Sequence, residues 1–115
     1  MEYITYCRRI NTDETKIVSI DNYPDTDTYI VKELINRFNG TDWHEEVISS
    51  TEFELKNVKE ILMKGNYHDG RDHFYLYIMT ADKQSLCSIY LPFDNGEDLL
   101  DIYSMLTGTM HRRGY

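Results

Sequence analysis

No motif in this 115-residue chain commits it to a chemistry. It has no G-x-S-x-G elbow, no Gly-rich phosphate loop and no H-E-x-x-H pair, the usual signs of serine hydrolysis, nucleotide binding and zinc proteolysis. Cysteine is scarce. Cys7 and Cys87 are the only two, without the spacing of a metal site, so a reduced cytoplasmic protein is expected. Long apolar runs are missing too. The longest, Phe74–Met79, falls far short of the roughly 20 residues a membrane helix needs. The opening MEYITYCRR carries charge where a signal peptide requires an apolar stretch. No Ser/Gly linker, low-complexity tract or solenoid repeat divides the chain. A single domain over residues 1–115 is expected, able to bury about two-thirds of its unfolded surface, with residues 109–115 a frayed tail.

Positive charge is also in short supply. Twelve Lys and Arg stand against twenty Asp and Glu, a net charge of −8. That balance argues against non-specific binding to nucleic acid or anionic membranes, where basic side chains displace counterions. It fits steering toward a basic partner, and it fits plain solubility equally well.

What the chain does have is a dense β signal from Phe74 to Leu91, FYLYIMTADKQSLCSIYL. Aromatic and aliphatic residues fill both arms, with no Gly or Pro inside. An even-length turn centred on Asp82 and Lys83 pairs Ile78 with Cys87, Leu76 with Ile89 and Phe74 with Leu91 on a wholly apolar face. Tyr75, Tyr77 and Met79 then share the other face with Tyr90, Ser88 and Leu86. A one-residue slip would scramble both sets. A weaker hairpin precedes it. Tyr3–Ile10 and Lys16–Asn22 flank the turn-forming tetrad Asn-Thr-Asp-Glu, and closing it pairs Cys7 with Val18 and Thr5 with Ile20.

Three helices are expected beside these hairpins. Pro24 stops the first sheet segment, Asp25, Thr26 and Asp27 offer N-caps, and Val31, Leu34, Ile35 and Phe38 make one apolar stripe ending at Gly40. Thr51 with Glu54 reads as a capping box ahead of Leu55, Val58 and Leu62, with Gly65 as the stop, although Phe53 and Leu55 also alternate as a strand would. Asp94 with Glu97 repeats the box before Leu99, Ile102, Tyr103 and Leu106, closed by Gly108. The frame Pro24–Gly40 thus recurs as Pro92–Gly108. Thr41–Ser50, with Trp43, Val47 and Ile48, follows no period and is open between strand and loop. The expected fold is α+β, an antiparallel sheet of about four strands with about three helices in the order ββα-α-ββα.

Three clusters could carry a function. Tyr67–His73 holds His68, Asp69, Asp72 and His73, donors suited to Zn or Mn, but the spacing of the two His matches no familiar ligand loop and a solvated turn explains the same residues; no metal or other cofactor is assigned. Tyr75, Tyr77 and Tyr90 could stack bases, yet their two strands carry no cation, so a protein contact or a second packed layer suits them better. Asp94, Glu97, Asp98 and Asp101 form an acidic group in a stretch without Lys or Arg between Gln84 and His111, and Asp25 and Asp27 form a similar cluster at the start of the first expected helix. Helix capping accounts for several of them, and spaced carboxylates can also imitate a row of phosphates.

The expectation is a small acidic, non-enzymatic inhibitor of a basic, nucleic-acid-handling protein such as a nuclease. Two settings fit: a phage or mobile-element anti-defence protein, for example an anti-CRISPR, or an immunity protein against a toxin. The alternatives are a metal-assisted hydrolase built on the 67–73 loop and a regulatory or structural domain that homodimerises through its Tyr face.

Overall fold

The N-terminal hairpin turns on two residues. The computed structural model describes the backbone of residues 2–115 and the side chains from Ile4 onward. In it β1 (Glu2–Asn11) and β2 (Glu14–Asn22) pair antiparallel around Thr12 and Asp13. The Asn11 side chain builds the turn, its Oδ1 accepting from the Asp13 amide at 2.8 Å and its Nδ2 donating to Glu14 at 2.9 Å. Asn11 opposite Glu14 is the expected register, but a one-residue bulge at Ile10 moves it. Below the bulge Cys7 faces Ile17, Tyr6 faces Val18 and Ile4 faces Ile20, one step from the pairing predicted for this hairpin.

The first predicted helix is a strand. β3 (Thr28–Phe38) pairs antiparallel with β2 from Tyr29 opposite Asn22 to Arg37 opposite Glu14. Pro24 does end β2, yet Asp25 and Asp27 lie in a turn tied by Asn22 Nδ2 to the carbonyls of Thr26 and Thr28, and cap nothing helical. Tyr29 and Val31 are buried together with Val18 and Ile20. The run Thr-Tyr-Ile-Val favours extended backbone, and ladder pairing along a whole strand outweighs a helical stripe of four residues. Thr41–Ser50 belongs mostly to β4 (Trp43–Glu54), an edge strand in the sheet order β1-β2-β3-β4.

The second predicted helix is replaced by the end of β4, a single 3-10 turn at Leu55–Asn57 and β5 (Glu60–His68). Leu55 and Val58 are buried as expected, but Gly65 stops nothing. A Cβ at that position would stand 3.2 Å from Phe74 Cε1, so the glycine is where the neighbouring strand's ring needs room. β5 runs into β6 (Arg71–Met79) through Asp69 and Gly70, both left-handed with φ of 52° and 78°, a two-residue hairpin turn inside the segment read as the 67–73 loop.

β6 pairs with β7 (Ser85–Tyr90) in the predicted register, Leu76 opposite Ile89 and Ile78 opposite Cys87. The turn itself is odd in length. The Thr80 amide donates to the Gln84 carbonyl at 2.9 Å around Ala81, Asp82 and Lys83, and a bulge between Ile78 and Met79 leaves Leu86 unpaired, which restores the alternation. Leu76, Ile78, Ile89 and Leu91 are essentially inaccessible. The third predicted helix stands as α1 (Glu97–Arg112) and buries Leu99, Ile102, Leu106 and Thr109. It passes Gly108 and carries on to Arg112. The described residues are therefore mostly β: seven strands in a four-stranded and a three-stranded antiparallel sheet, with one α-helix at the C-terminal end, in place of ββα-α-ββα. Its internal contacts gather into two compact units, residues 1–52 and 53–115. No helix among the described residues is long and apolar enough to cross a membrane.

Candidate functional site

In the second unit the acidic group after Pro92 divides in two. Asp94 is buried, with Oδ2 accepting from the Gly96 amide at 3.1 Å and the Leu99 amide at 3.4 Å, and Oδ1 from the Asp98 amide at 3.3 Å. Its carboxylate closes the first turn of α1 and neutralises amides that have no helical partner. Gly96, at φ 92°, lets the backbone fold over that carboxylate. Asp94 therefore has a structural task. Glu97 and Asp101 are exposed one turn apart, and Asp98 is half-buried. Between the two exposed carboxylates sits Leu100, 49% exposed, while its neighbour Leu99 is fully buried. Adjacent leucines on a helix point about 100° apart, so only one of the pair can reach the core. That signal was in the sequence and passed unused.

Phe93, just before the helix, is 55% exposed and left-handed (φ 60°), with the Arg71 guanidinium 4.3 Å above its ring. A cleft of about 480 Å³ opens there, lined by Arg71, Asp72, Phe74, Phe93, Asp94 and Asn95. The entrance of α1 thus combines outward carboxylates with two exposed apolar side chains, Leu100 and, under the Arg71 guanidinium, Phe93.

Asp25 and Asp27 lie in the other unit, in the turn between β2 and β3, where Asp25 is exposed and left-handed at φ 58°. They share no element with Glu97 and Asp101.

The tyrosines form a real cluster on the face of the three-stranded sheet opposite Leu76 and Ile78. Tyr75 meets Tyr90 edge-on at 4.9 Å and lies 6.3 Å from Tyr77. All three are half-buried. The lack of cations read from the two strands alone does not hold for the sheet, because β5 sets Lys64 opposite Tyr75 and places its ammonium 5.5 Å from the Tyr77 ring. Burial pushes the Tyr90 phenol above its ordinary range, nearby Tyr75 adds to that, and Arg71 opposes it.

His68 and His73 come together by stacking. Their rings are parallel within 5° with centroids 3.8 Å apart. His73 is buried, and both its nitrogens are occupied: Nε2 lies 3.2 Å from the His68 carbonyl and Nδ1 lies 2.7 Å from the Tyr90 hydroxyl. A carbonyl only accepts, so Nε2 carries the proton and Nδ1 accepts from Tyr90. His68 Nδ1 is 3.1 Å from Asp69 in the tight turn. Among the described residues no group of three or more His, Cys, Asp or Glu is arranged to hold a metal ion. Cys7 is exposed and Cys87 is buried in β7.

Neither family models, nor curated proteins, nor solved structures contain a match to this chain. Its surfaces have to be read on their own chemistry.

A further ionic cluster ties the first unit's sheet. Arg37 donates from Nε to Glu14 at 2.9 Å and from Nη1 to Glu46. The Asn11 hydrogen bond, then Arg37, hold the Glu14 carboxyl below its usual range, and the same pairing raises Arg37. These residues join strands and are mutually satisfied.

Proposed function

We propose that this protein is a non-enzymatic binding module that docks a basic, nucleic-acid-handling protein in the cytoplasm and blocks it. The contact face is the outward side of α1, with Glu97 and Asp101 as the charged pair, Leu100 between them as the apolar anchor, and Phe93 extending the patch. The observation that carries the reading is Leu100, half in solvent and framed by two exposed carboxylates on a helix whose opposite side is fully packed. Interfaces concentrate apolar anchors inside a polar rim, and complementary charge speeds encounter with the right partner. Asp94 is outside the contact, being engaged by backbone amides, and Asp25 with Asp27 is not needed for it. Phosphate mimicry follows from the same pair, since carboxylates one helical turn apart present two negative charges to a groove built for a nucleic-acid backbone.

Capture from a host extract tests this. Bound protein should elute as salt rises, should be displaced by added DNA or RNA, and should be missing from a Glu97→Lys/Asp101→Lys variant with an unchanged circular dichroism spectrum. Retention by that folded variant would falsify the assignment of the surface.

A further inference from the structure

β4 is anomalous among the seven strands. It is an edge, hydrogen-bonded in its sheet on the β3 side only, and every residue from Trp43 to Ile48 is exposed. Successive side chains on a strand point to opposite faces. Val47 is 57% exposed and Ile48 53%, so β4 shows a β-branched aliphatic to solvent on both sides at once. Natural edges are normally blunted by charged side chains, Lys above all, or by Pro, bulges or shortness, and the charges of β4 are glutamates outside its Val47–Ile48 centre. From Trp43 to Glu54 there is no Lys, Arg, Pro or Gly, and the strand has twelve residues.

We propose that β4 is a self-association strand and that its occupant is β4 of a second copy of this chain, added antiparallel to form one continuous sheet. The choice of partner comes from the charge pattern. A two-fold axis normal to the sheet pairs residues of like parity, so the strand must be centred on a residue. Centring on Glu45 or Glu46 places that carboxylate against itself, and centring on Ser49 sets Glu46 against Glu52. Centring on Val47 sets the Glu46 carboxylate against Ile48, whereas centring on Ile48 pairs no two carboxylates from residue 44 to residue 52. Ile48 then faces its own copy, Val47 faces Ser49, Glu46 faces Ser50, Glu45 faces Thr51 and His44 faces Glu52. Aliphatics meet at the centre, carboxylates meet hydroxyls, and the outermost of these pairs is a histidine with a carboxylate. Glu46 is already held by Arg37 within its own chain, which lowers the cost of bringing it near the second copy. This inference is independent of the reading of α1.

Light scattering on the full chain across a concentration series tests it. A dimer is expected for the natural sequence, and a monomer for Ile48→Lys, which sets two ammonium groups opposite each other at an exposed position. In a Cys7→Ser background, Ile48→Cys should form a disulfide-linked dimer on mild oxidation, because directly opposed residues in an antiparallel pair lie within disulfide reach. Glu45→Cys should not. A natural chain that stays monomeric at its highest soluble concentration overturns the proposal. So does a dimer that persists in Ile48→Lys, or equal cross-linking at positions 45 and 48.

Discussion

The Tyr90 hydroxyl lies 2.7 Å from His73 Nδ1 and joins the end of β7 to a histidine whose other nitrogen is already committed to the His68 carbonyl. The imidazole is buried, so each of its polar atoms depends on one protein partner. Tyr90→Phe removes the donor and leaves Nδ1 unsatisfied, at about 1–3 kcal/mol. Urea unfolding should register that loss, and His73→Phe in the same background should recover part of it.

The same phenol sets an alkaline limit. Its ionisation lies above the ordinary range in the folded chain, so the unfolded chain loses that proton first. The stabilisation is complete below the unfolded pKa of about 10 and declines as pH rises through the folded value. Phenolate absorbance should include a late step from Tyr90, and Tyr90→Phe should abolish it.

Glu14 works in the opposite direction. Its carboxyl is held low by Asn11 first and by Arg37 second. The contribution is present above the unfolded carboxylate pKa and is lost as pH falls through the folded one. In an NMR titration, Asn11→Ala should raise the Glu14 midpoint toward its usual range.

Asp94→Ala strips the amides of Gly96, Asp98 and Leu99 of their acceptor. Loss of a helix cap costs about 0.5–2 kcal/mol. Denaturation should show that loss, and binding by the folded fraction should be retained, because the contact face uses Glu97, Leu100 and Asp101.

Leu76 has no accessible surface, and truncation to alanine should cost about 2–5 kcal/mol. A change well below 1 kcal/mol in chemical denaturation would place the core on the Tyr side of this sheet.

The central hairpin and α1 were legible in the sequence because local pattern and tertiary packing agree there. Leu76 and Ile78 alternate, and Leu99, Ile102 and Leu106 follow a helical period on a stretch that stays helical. The matching frames from Pro24 and Pro92 show where such reading ends. One frame folds as β3 and the other as α1, although each has apolar residues at the same offsets. The difference lies in pairing with β2, a non-local ladder that the local stripe around Val31 and Leu34 does not record. Asp69-Gly70 was a hairpin signal in plain view and marks the birth of β6 from β5. Missing it hid β5, and with it the placement of Lys64 beside the tyrosines. Leu100 was just as visible, since Leu99 already claimed the inward direction.

The unpaired Leu86 gives the β6–β7 hairpin a spare residue between its turn and its core. Deleting one residue of this tip and straightening the bulge together would pair Met79 with Leu86, keep a three-residue loop, and leave Leu76 still opposite Ile89 and Ile78 still opposite Cys87. Length variation at this tip is thereby decoupled from the packing beneath it. Related chains should differ in loop length here more freely than at the Asp69-Gly70 turn, where β5 and β6 pair without slack up to His68 and Arg71.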